Sequence, residues 1–176
     1  EPLDRPVALK IPRGDMQRNK ELRTRFEREA QAAAALHHPG ICPIYDIGQY
    51  QGIHYICMAY IEGFSLTRYA VAESGLSEQD IAELVRKLAK ALAVAHAAGF
   101  IHRDLKPANV MMNHEDEPVI LDFGLARRIN RDEDLRVTQT GTAIGSPAYM
   151  SPEQVDGDQD KIRVHSDIYS LGVIFY

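Results

Sequence analysis

Cysteine is scarce in this sequence, and it has neither an excess of basic charge nor a long apolar run. The two cysteines, Cys42 and Cys57, form neither a C-x-x-C pair nor a zinc spacing, which predicts two buried thiols in a reducing compartment. The net charge of −5 argues against nucleic acid as an obligatory partner, because a phosphate backbone requires a basic face. No apolar run is long enough to span a membrane, and no signal peptide opens the sequence. We therefore expect a cytoplasmic segment without membrane contact; an anchor elsewhere in a longer parent protein stays open.

The remaining composition is that of a globular protein with a sizeable core. The sequence has 176 residues, of which 45% are hydrophobic and 26% charged, so it holds one domain or one and a half. The apolar run from Ile168 to Tyr176 stops without a cap, and the first residues read as a turn leading into a strand. We expect a fragment, cut at both ends.

Two neighbouring motifs carry the chemistry. The first is H-R-D-L-K-P-A-N at residues 102–109, and D-F-G follows it, beginning at Asp122, 13 residues after Asn109. Asp104 can accept the proton of an incoming hydroxyl, and Lys106 can neutralise charge on a transferred phosphoryl group. Asn109 and Asp122 offer the hard oxygen ligands that Mg²⁺ prefers. This set of groups suits phosphoryl transfer.

The two motifs, in this order and spacing, resemble the catalytic loop and D-F-G turn of eukaryotic-type (Hanks-type) protein kinases, most of all the bacterial serine/threonine kinases. The resemblance runs from Val7 to Tyr176 and implies an α+β, two-lobed fold, truncated at both ends. Residues 1–61 would form a partial N-terminal lobe, and residues 62–176 a partial C-terminal lobe. Two family parts are missing from the sequence: a glycine-rich phosphate loop before Lys10, and the helices that follow Tyr176.

The resemblance also implies a site for ATP with Mg²⁺, or alternatively Mn²⁺. Val7–Ile11 resembles the V-A-I-K strand, in which Lys10 would hold the α- and β-phosphates and Ala8 would lie against the adenine. Glu29 matches the helix glutamate that pairs with this lysine, and Glu27 is the alternative.

A second group of residues would surround the adenine. The segment around Met58 resembles the hinge between the kinase lobes, with Met58 as the gatekeeper. The backbone of Ala59 and Ile61 would then read the adenine edge, and Met111 would pack beneath the ring.

The segment from Leu125 to Ile144 shows little periodicity and leads into a stretch that resembles the substrate-docking loop and A-P-E motif. Within that stretch, the hydroxyl of Ser146 would reach Asp104. Arg103 precedes the catalytic aspartate, and kinases with this arginine commonly respond to phosphate on the activation loop. Thr138 and Thr140 are the candidate sites for that phosphate. Asp167 matches the helix residue that caps the backbone of the catalytic loop.

The function implied is transfer of the γ-phosphoryl group of ATP to serine or threonine hydroxyls of protein substrates. Autophosphorylation in trans, through a kinase–kinase dimer, would activate the enzyme. One alternative is a pseudokinase scaffold, but Lys10, Asp104 and Asp122 are all in place. Another is a small-molecule kinase of related fold, which the peptide-docking stretch from Gly145 to Glu153 disfavours. Lys106 favours a serine/threonine kinase over a tyrosine kinase.

Periodicity and turn signals predict the main elements. We expect a hairpin whose turn is Gly48–Gly52, and we interpret His96, on the long helix, as a packing residue. The predicted helices are Asn19–Leu36, Ser65–Glu73 and a long one from Ser77 to Gly99; the predicted strands are Val7–Ile11, Ile41–Ile47, Ile53–Tyr60, Val110–Met112 and Val119–Leu121.

Overall fold

The computed structural model describes residues 5–11, 24, 30–31, 33–69, 75–123 and 147–176. These residues include two three-stranded sheets, three α-helices with described ends, helical residues at 24, 30, 31 and 33, and short 3₁₀ turns, which agrees with the predicted α+β fold. Within the same residues, no helix is both long and apolar enough to cross a membrane.

The first sheet carries the lysine strand. Its strands are β1 (Val7–Lys10), β2 (Ile44–Tyr50) and β3 (Ile53–Ala59), which pair antiparallel in the order β1-β3-β2. One face packs on a small core whose buried members are Ala30, Cys42, Ile56, Met58 and Val119. This packing fixes the strand that presents Lys10.

The hairpin between β2 and β3 is tighter than predicted. Gln51 and Gly52 alone connect the strands, with φ values of 49° and 82°. Two central residues with positive φ match the twist of the strands. Gly48, expected in the turn, lies inside β2, where an added Cβ would come within 2.5 Å of the Tyr55 hydroxyl oxygen. Glycine at position 48 therefore makes room for the Tyr55 side chain.

The second sheet lies next to the catalytic motifs. It consists of β4 (Gly63–Ser65), β5 (Val110–Asn113) and β6 (Pro118–Ile120), in that order and antiparallel. A parallel bridge joins Ile41 to Ile120, and the Cys42 amide donates to the Ile120 carbonyl at 2.9 Å. These bonds hold the end of β6, and thus the D-F-G turn, near the first sheet.

Three helices complete the described residues: α1 (Glu78–Ala97), α2 (Pro152–Val155) and α3 (Val164–Phe175). α1 begins and ends where the sequence predicts a helix: Ser77 caps it through reciprocal bonds with Asp80, and Gly99 follows it with φ of 83°. The apolar face of α1 packs on a core shared with β5, β6 and α3. Its fully buried members include Leu88, Leu92, Leu105, Val110 and Ile120. The long helix thus delivers the chain to His102 from a rigid support.

Two helix predictions differ from the structure at their ends. Within the predicted helix Asn19–Leu36, the described residues Thr24, Ala30, Gln31 and Ala33 are helical, and a turn begins at Ala34. Ser65, predicted to start a helix, ends β4, and a single 3₁₀ turn follows at Leu66–Arg68. Residues 70–74 of that prediction lie outside the described residues.

Candidate active site

Asp104 is held by two neighbours from its own loop. The Lys106 ammonium lies 2.9 Å from Asp104 Oδ2 and donates to Oδ1 at 3.2 Å. The Asn109 amide nitrogen donates to the Asp104 carbonyl at 2.8 Å and to Oδ2 at 3.1 Å. The Asp104 side chain keeps 32% of its surface exposed, so an acceptor hydroxyl can reach it. The carboxylate is therefore oriented but accessible.

The D-F-G turn connects this loop to the lysine strand. The Leu121 amide donates to the Asn109 carbonyl at 2.9 Å, which places Asp122 beside the catalytic loop. Asp122 has φ of 62° and forms a 2.8 Å ion pair with Lys10 at the end of β1. Lys10 thus contacts Asp122 directly, and Asn109 bonds to Leu121, the residue before Asp122.

Asp167, at the start of α3, anchors the backbone of the catalytic loop. The side chain is 1% exposed and accepts from the amides of His102 and Arg103, each at 2.8 Å. His96 Nε2 lies 2.8 Å from the same carboxylate. The interpretation of His96 as a packing residue is therefore wrong. His96 contacts the Asp167 carboxylate, which in turn binds the backbone of the catalytic loop. Sequence alone could not show this contact, because its partner lies 71 residues away.

His102 is a buried hub between the two motifs. It is 1% exposed; its Nε2 lies 2.8 Å from the Leu121 carbonyl, and its Nδ1 accepts from the Asp104 amide at 3.3 Å. These partners require a neutral ring protonated on Nε2. Burial lowers the pKa of His102 below its usual 6.5, which favours the same neutral form. The ring also packs edge-on against Phe123 of the D-F-G turn.

This buried neutral histidine predicts a loss of stability in mild acid. Because the folded-state pKa of His102 lies below the unfolded value of 6.5, the unfolded chain takes up the proton first as pH falls. The stabilisation is fully present above pH 6.5 and is lost below it. Denaturant titrations at about pH 7.5 and about pH 5.5 should show a smaller acid-induced loss in His102→Gln than in wild type.

The control for this titration is His114→Gln, because His114 is exposed in the turn between β5 and β6. It should keep the wild-type loss. An equal loss of unfolding free energy in wild type and in His102→Gln would contradict the assignment of a neutral ring.

Gln154 is a site residue that the sequence reasoning missed. It is 4% exposed on α2, and its amide nitrogen donates to the Arg103 carbonyl at 2.7 Å. Its oxygen accepts from the Ser151 amide at 3.0 Å. The signal in the sequence was the S-x-x-Q spacing of Ser151 and Gln154, which is typical of a helix start.

Glu153 has partners of its own in this structure. It accepts a short hydrogen bond from Ser166 Oγ, and His165 Nε2 lies 3.4 Å away. The Ser166 hydrogen bond is the main reason that the pKa of Glu153 falls to about 2. The carboxylate is thus charged at neutral pH and ties α2 to α3.

Of the residues expected around the adenine, Ala8, Met58, Ala59 and Ile61 lie on or just after the paired strands β1 and β3, whereas Met111 lies on β5 of the second sheet. Ala8 pairs with Met58 across β1 and β3, and Ala59 and Ile61 border the same small core. The Ala59 amide already donates to the Pro43 carbonyl at 2.9 Å, and the Ala59 carbonyl accepts from Cys42 Sγ at 3.5 Å, which leaves one lone pair of that carbonyl for a base edge. Met111 pairs with Val119, which belongs to that core. The structure thus brings these residues to one region.

Several predicted residues lie outside the described residues: Glu29 and its alternative Glu27, Thr138, Thr140 and Ser146. Within the described ranges, no group of three or more His, Cys, Asp and Glu side chains is arranged to hold a metal ion. Asn109 and Asp122 still suit Mg²⁺. Both bonds of Asn109 use its nitrogen, which leaves the amide oxygen as a ligand, and Mg²⁺ commonly takes its other ligands from phosphates and water.

Comparison with known proteins agrees with this geometry. The family model described as "Protein kinase domain" matches residues 3–176. The chain belongs to the protein kinase domain family. The serine/threonine-protein kinase PknB of Mycobacterium tuberculosis is 40% identical over 99% of this chain and 28% of its own length. The serine/threonine-protein kinase PrkC of Bacillus subtilis is 38% identical over 99% of this chain and 26% of its own length.

Solved kinase structures confirm the predicted fold. The crystal structure of the Mycobacterium tuberculosis PknI kinase domain matches with a TM-score of 0.72 and 30% identity. The match covers 96% of this chain and 61% of that one. The chain thus spans less than a third of the length of the curated kinase relatives cited above, and about three fifths of this kinase domain.

Proposed function

We propose that this chain is the catalytic part of an ATP-dependent serine/threonine protein kinase. Three contacts carry the proposal: Lys10 pairs with Asp122, the neighbouring Leu121 amide donates to the Asn109 carbonyl, and the Asn109 side chain donates to Asp104. The names of the relatives, which are serine/threonine-protein kinases, support the same activity. Lys10, Asp104 and Asp122 are all present and in contact with site partners, which favours an active enzyme over a pseudokinase scaffold.

The acceptor hydroxyl is oriented by Asp104, which takes its proton as the oxygen bonds to the γ-phosphorus of ATP. The bond from that phosphorus to the β–γ bridging oxygen breaks, and ADP leaves. Lys106, 2.9 Å from Asp104, is placed to neutralise charge on the transferred group. Asn109 fixes the Asp104 carboxylate through its nitrogen, and the same hydrogen bonds hold the loop in register. These residues prepare the acceptor side of the reaction.

On the nucleotide side, Lys10 binds the α- and β-phosphates and Glu29 pairs with it. Asn109 and Asp122 would hold Mg²⁺, or Mn²⁺, which offsets negative charge on the phosphates when bound. The adenine lies against Ala8, Met58 and Met111, with the backbone of Ala59 and Ile61 at its edge. Ala8, Met58, Ala59 and Ile61 border one small core, which supports a single adenine slot.

The proposal extends to the setting of the enzyme. The substrates are proteins with serine or threonine hydroxyls, docked beside Ser146, and a kinase–kinase dimer allows phosphorylation in trans. Residues 1–61 and 62–176 form the two partial lobes, and the catalytic part works in the cytoplasm.

The direct test is phosphate transfer by the complete protein. It should move label from γ-labelled ATP to a generic basic protein when Mg²⁺ is present, and a chelator should abolish the transfer. A well-folded protein that binds Mg-ATP but labels neither itself nor the acceptor would favour the scaffold function.

Phosphorylation of Thr138 or Thr140 is the expected regulatory step. A phosphate there carries about −1.5 to −2 charge and can accept charge-assisted bonds from Arg103. Such bonds would order the segment before Ser146 and raise activity toward an added substrate. Mass spectrometry of the complete protein after incubation with ATP should find phosphate on one or both threonines, and Thr138→Ala/Thr140→Ala should be less active.

The control for this switch is Thr67→Ala, because Thr67 is an exposed threonine far along the chain from the segment. It should keep wild-type activity. Unmodified Thr138 and Thr140, or full activity in the double variant, would place the switch elsewhere.

A further inference from the structure

The peptide groups on either side of Arg103 are clamped by two different helices. On one side, the Arg103 amide donates to Asp167 of α3 at 2.8 Å. On the other, the Arg103 carbonyl accepts from Gln154 of α2 at 2.7 Å. Arg103 has φ of 67°, a left-handed conformation that side chains other than glycine rarely adopt. The surrounding bonds must therefore hold this conformation in place.

The Gln154 side chain has a fixed orientation while it binds the Arg103 carbonyl. It is 4% exposed, and both ends of its amide are used: the oxygen accepts from the Ser151 amide at 3.0 Å while the nitrogen donates to Arg103. A buried side-chain amide with two backbone partners has a fixed orientation, because neither bond can be replaced by water. The carbonyl that it holds belongs to the residue directly before Asp104.

The helix that carries Gln154 is in turn seated on α3. Glu153 accepts from Ser166 Oγ, and the Tyr149 carbonyl accepts from Ser170 Oγ at 2.7 Å. Residues 147–155 therefore dock on the same helix that provides Asp167. Gln154 reaches Arg103 from this docked stretch, so displacement of the stretch from α3 would remove the donor of the Arg103 carbonyl.

We infer that Gln154 is a positioning residue that couples the seating of residues 147–155 to the orientation of Asp104. The inference rests on the proposed function, since it assigns Gln154 to the phosphoryl-transfer site. The hydrogen-bond partners of the buried Gln154 side chain are the Ser151 amide and the Arg103 carbonyl, so we assign it no contact with nucleotide or acceptor. It acts through the Arg103 peptide, and losing the bond should lower turnover while leaving ATP binding intact.

The test compares Gln154→Glu and Gln154→Asn with wild type in the complete protein. Glutamate keeps the length and the acceptor for Ser151 but places a carboxylate oxygen against the Arg103 carbonyl. Asparagine keeps the amide but is one methylene shorter. Both should lower kcat by about 10- to 100-fold, the scale of a misplaced catalytic group, with the KM for ATP unchanged. Val155→Ala, at a position on the same helix that is 63% exposed, is the matched control and should keep wild-type kcat.

Hydrogen exchange of the peptide that contains residues 102–106 provides a readout that does not depend on turnover. The amides of Arg103 and Asp104 should exchange faster in both Gln154 variants than in wild type and Val155→Ala. A merely structural role would lower the melting temperature and speed exchange in α1 and α3 as much as in residues 102–106, while kcat stayed at the wild-type value. That result would overturn the inference. An inactive wild-type protein would overturn the proposed function instead. The exchange rates would then still show whether Gln154 holds the backbone of residues 102–106. If one variant fails to fold, the other decides.

Discussion

Replacing Asp104 with asparagine should lower kcat by about 10²- to 10⁴-fold, the usual contribution of a positioned acid–base group. Asparagine has nearly the same shape and keeps one acceptor oxygen. With that oxygen at the Oδ2 position, the contacts of Lys106 and Asn109 with Oδ2 can persist, whereas the bond from Lys106 to Oδ1 is lost. What is lost is the negative oxygen that accepts the proton of the hydroxyl. The affinity for Mg-ATP should barely change, because no contact to the nucleotide is assigned to Asp104.

Steady-state kinetics with a peptide or generic protein acceptor, combined with calorimetry of Mg-ATP binding, measures both quantities. Asp160→Asn is the matched control: it removes one carboxylate from an exposed position and should leave kcat unchanged. Near-normal turnover by Asp104→Asn would show that another group accepts the proton.

The second large effect is expected at Asp122. Asp122→Asn should weaken Mg-ATP binding by about 10- to 100-fold, the worth of one bond to a charged group. The reason is that the substitution removes the carboxylate that we propose as a charged ligand of Mg²⁺. Binding of ATP in the presence of a chelator should change far less, which separates the metal from the phosphate contacts.

Asp116→Asn provides a closely matched control for this experiment. Asp116 and Asp122 both have left-handed backbones, with φ values of 57° and 62°, and asparagine tolerates that conformation as well as aspartate does. Asp116 lies at the exposed tip between β5 and β6. Calorimetry should therefore give wild-type affinity for Asp116→Asn. Equal affinity for Mg-ATP in Asp122→Asn and wild type would refute the metal role.

Much of the fold and of the candidate site could be predicted because the signals are local. The H-R-D-L-K-P-A-N and D-F-G motifs lie within 23 residues, and the spacing of Ser77 and Asp80 is typical of a helix start. The buried strands β5 and β6 form a hairpin between Asn109 and Asp122, and this hairpin returns the chain so that Asp122 lies near Asn109. Short-range spacing was sufficient for these features.

The features that sequence reasoning missed depend on distant partners. His96 looks like any half-buried helix residue until Asp167, 71 residues later, lies 2.8 Å away. Gln154 likewise depends on Arg103, 51 residues earlier. Gly48 was misassigned to a turn because glycine is a common turn residue, whereas here the Tyr55 side chain occupies the space of a Cβ. Such contacts follow from tertiary packing, which single-sequence patterns do not encode.

The most direct measurement of the central claim is phosphoamino acid analysis of an acceptor protein after incubation with γ-labelled ATP, Mg²⁺ and the complete protein. The account predicts label on phosphoserine and phosphothreonine with wild type and with Asp160→Asn, and almost none with Asp104→Asn. Label confined to inorganic phosphate or to phosphotyrosine, or equal labelling by Asp104→Asn and wild type, would contradict it.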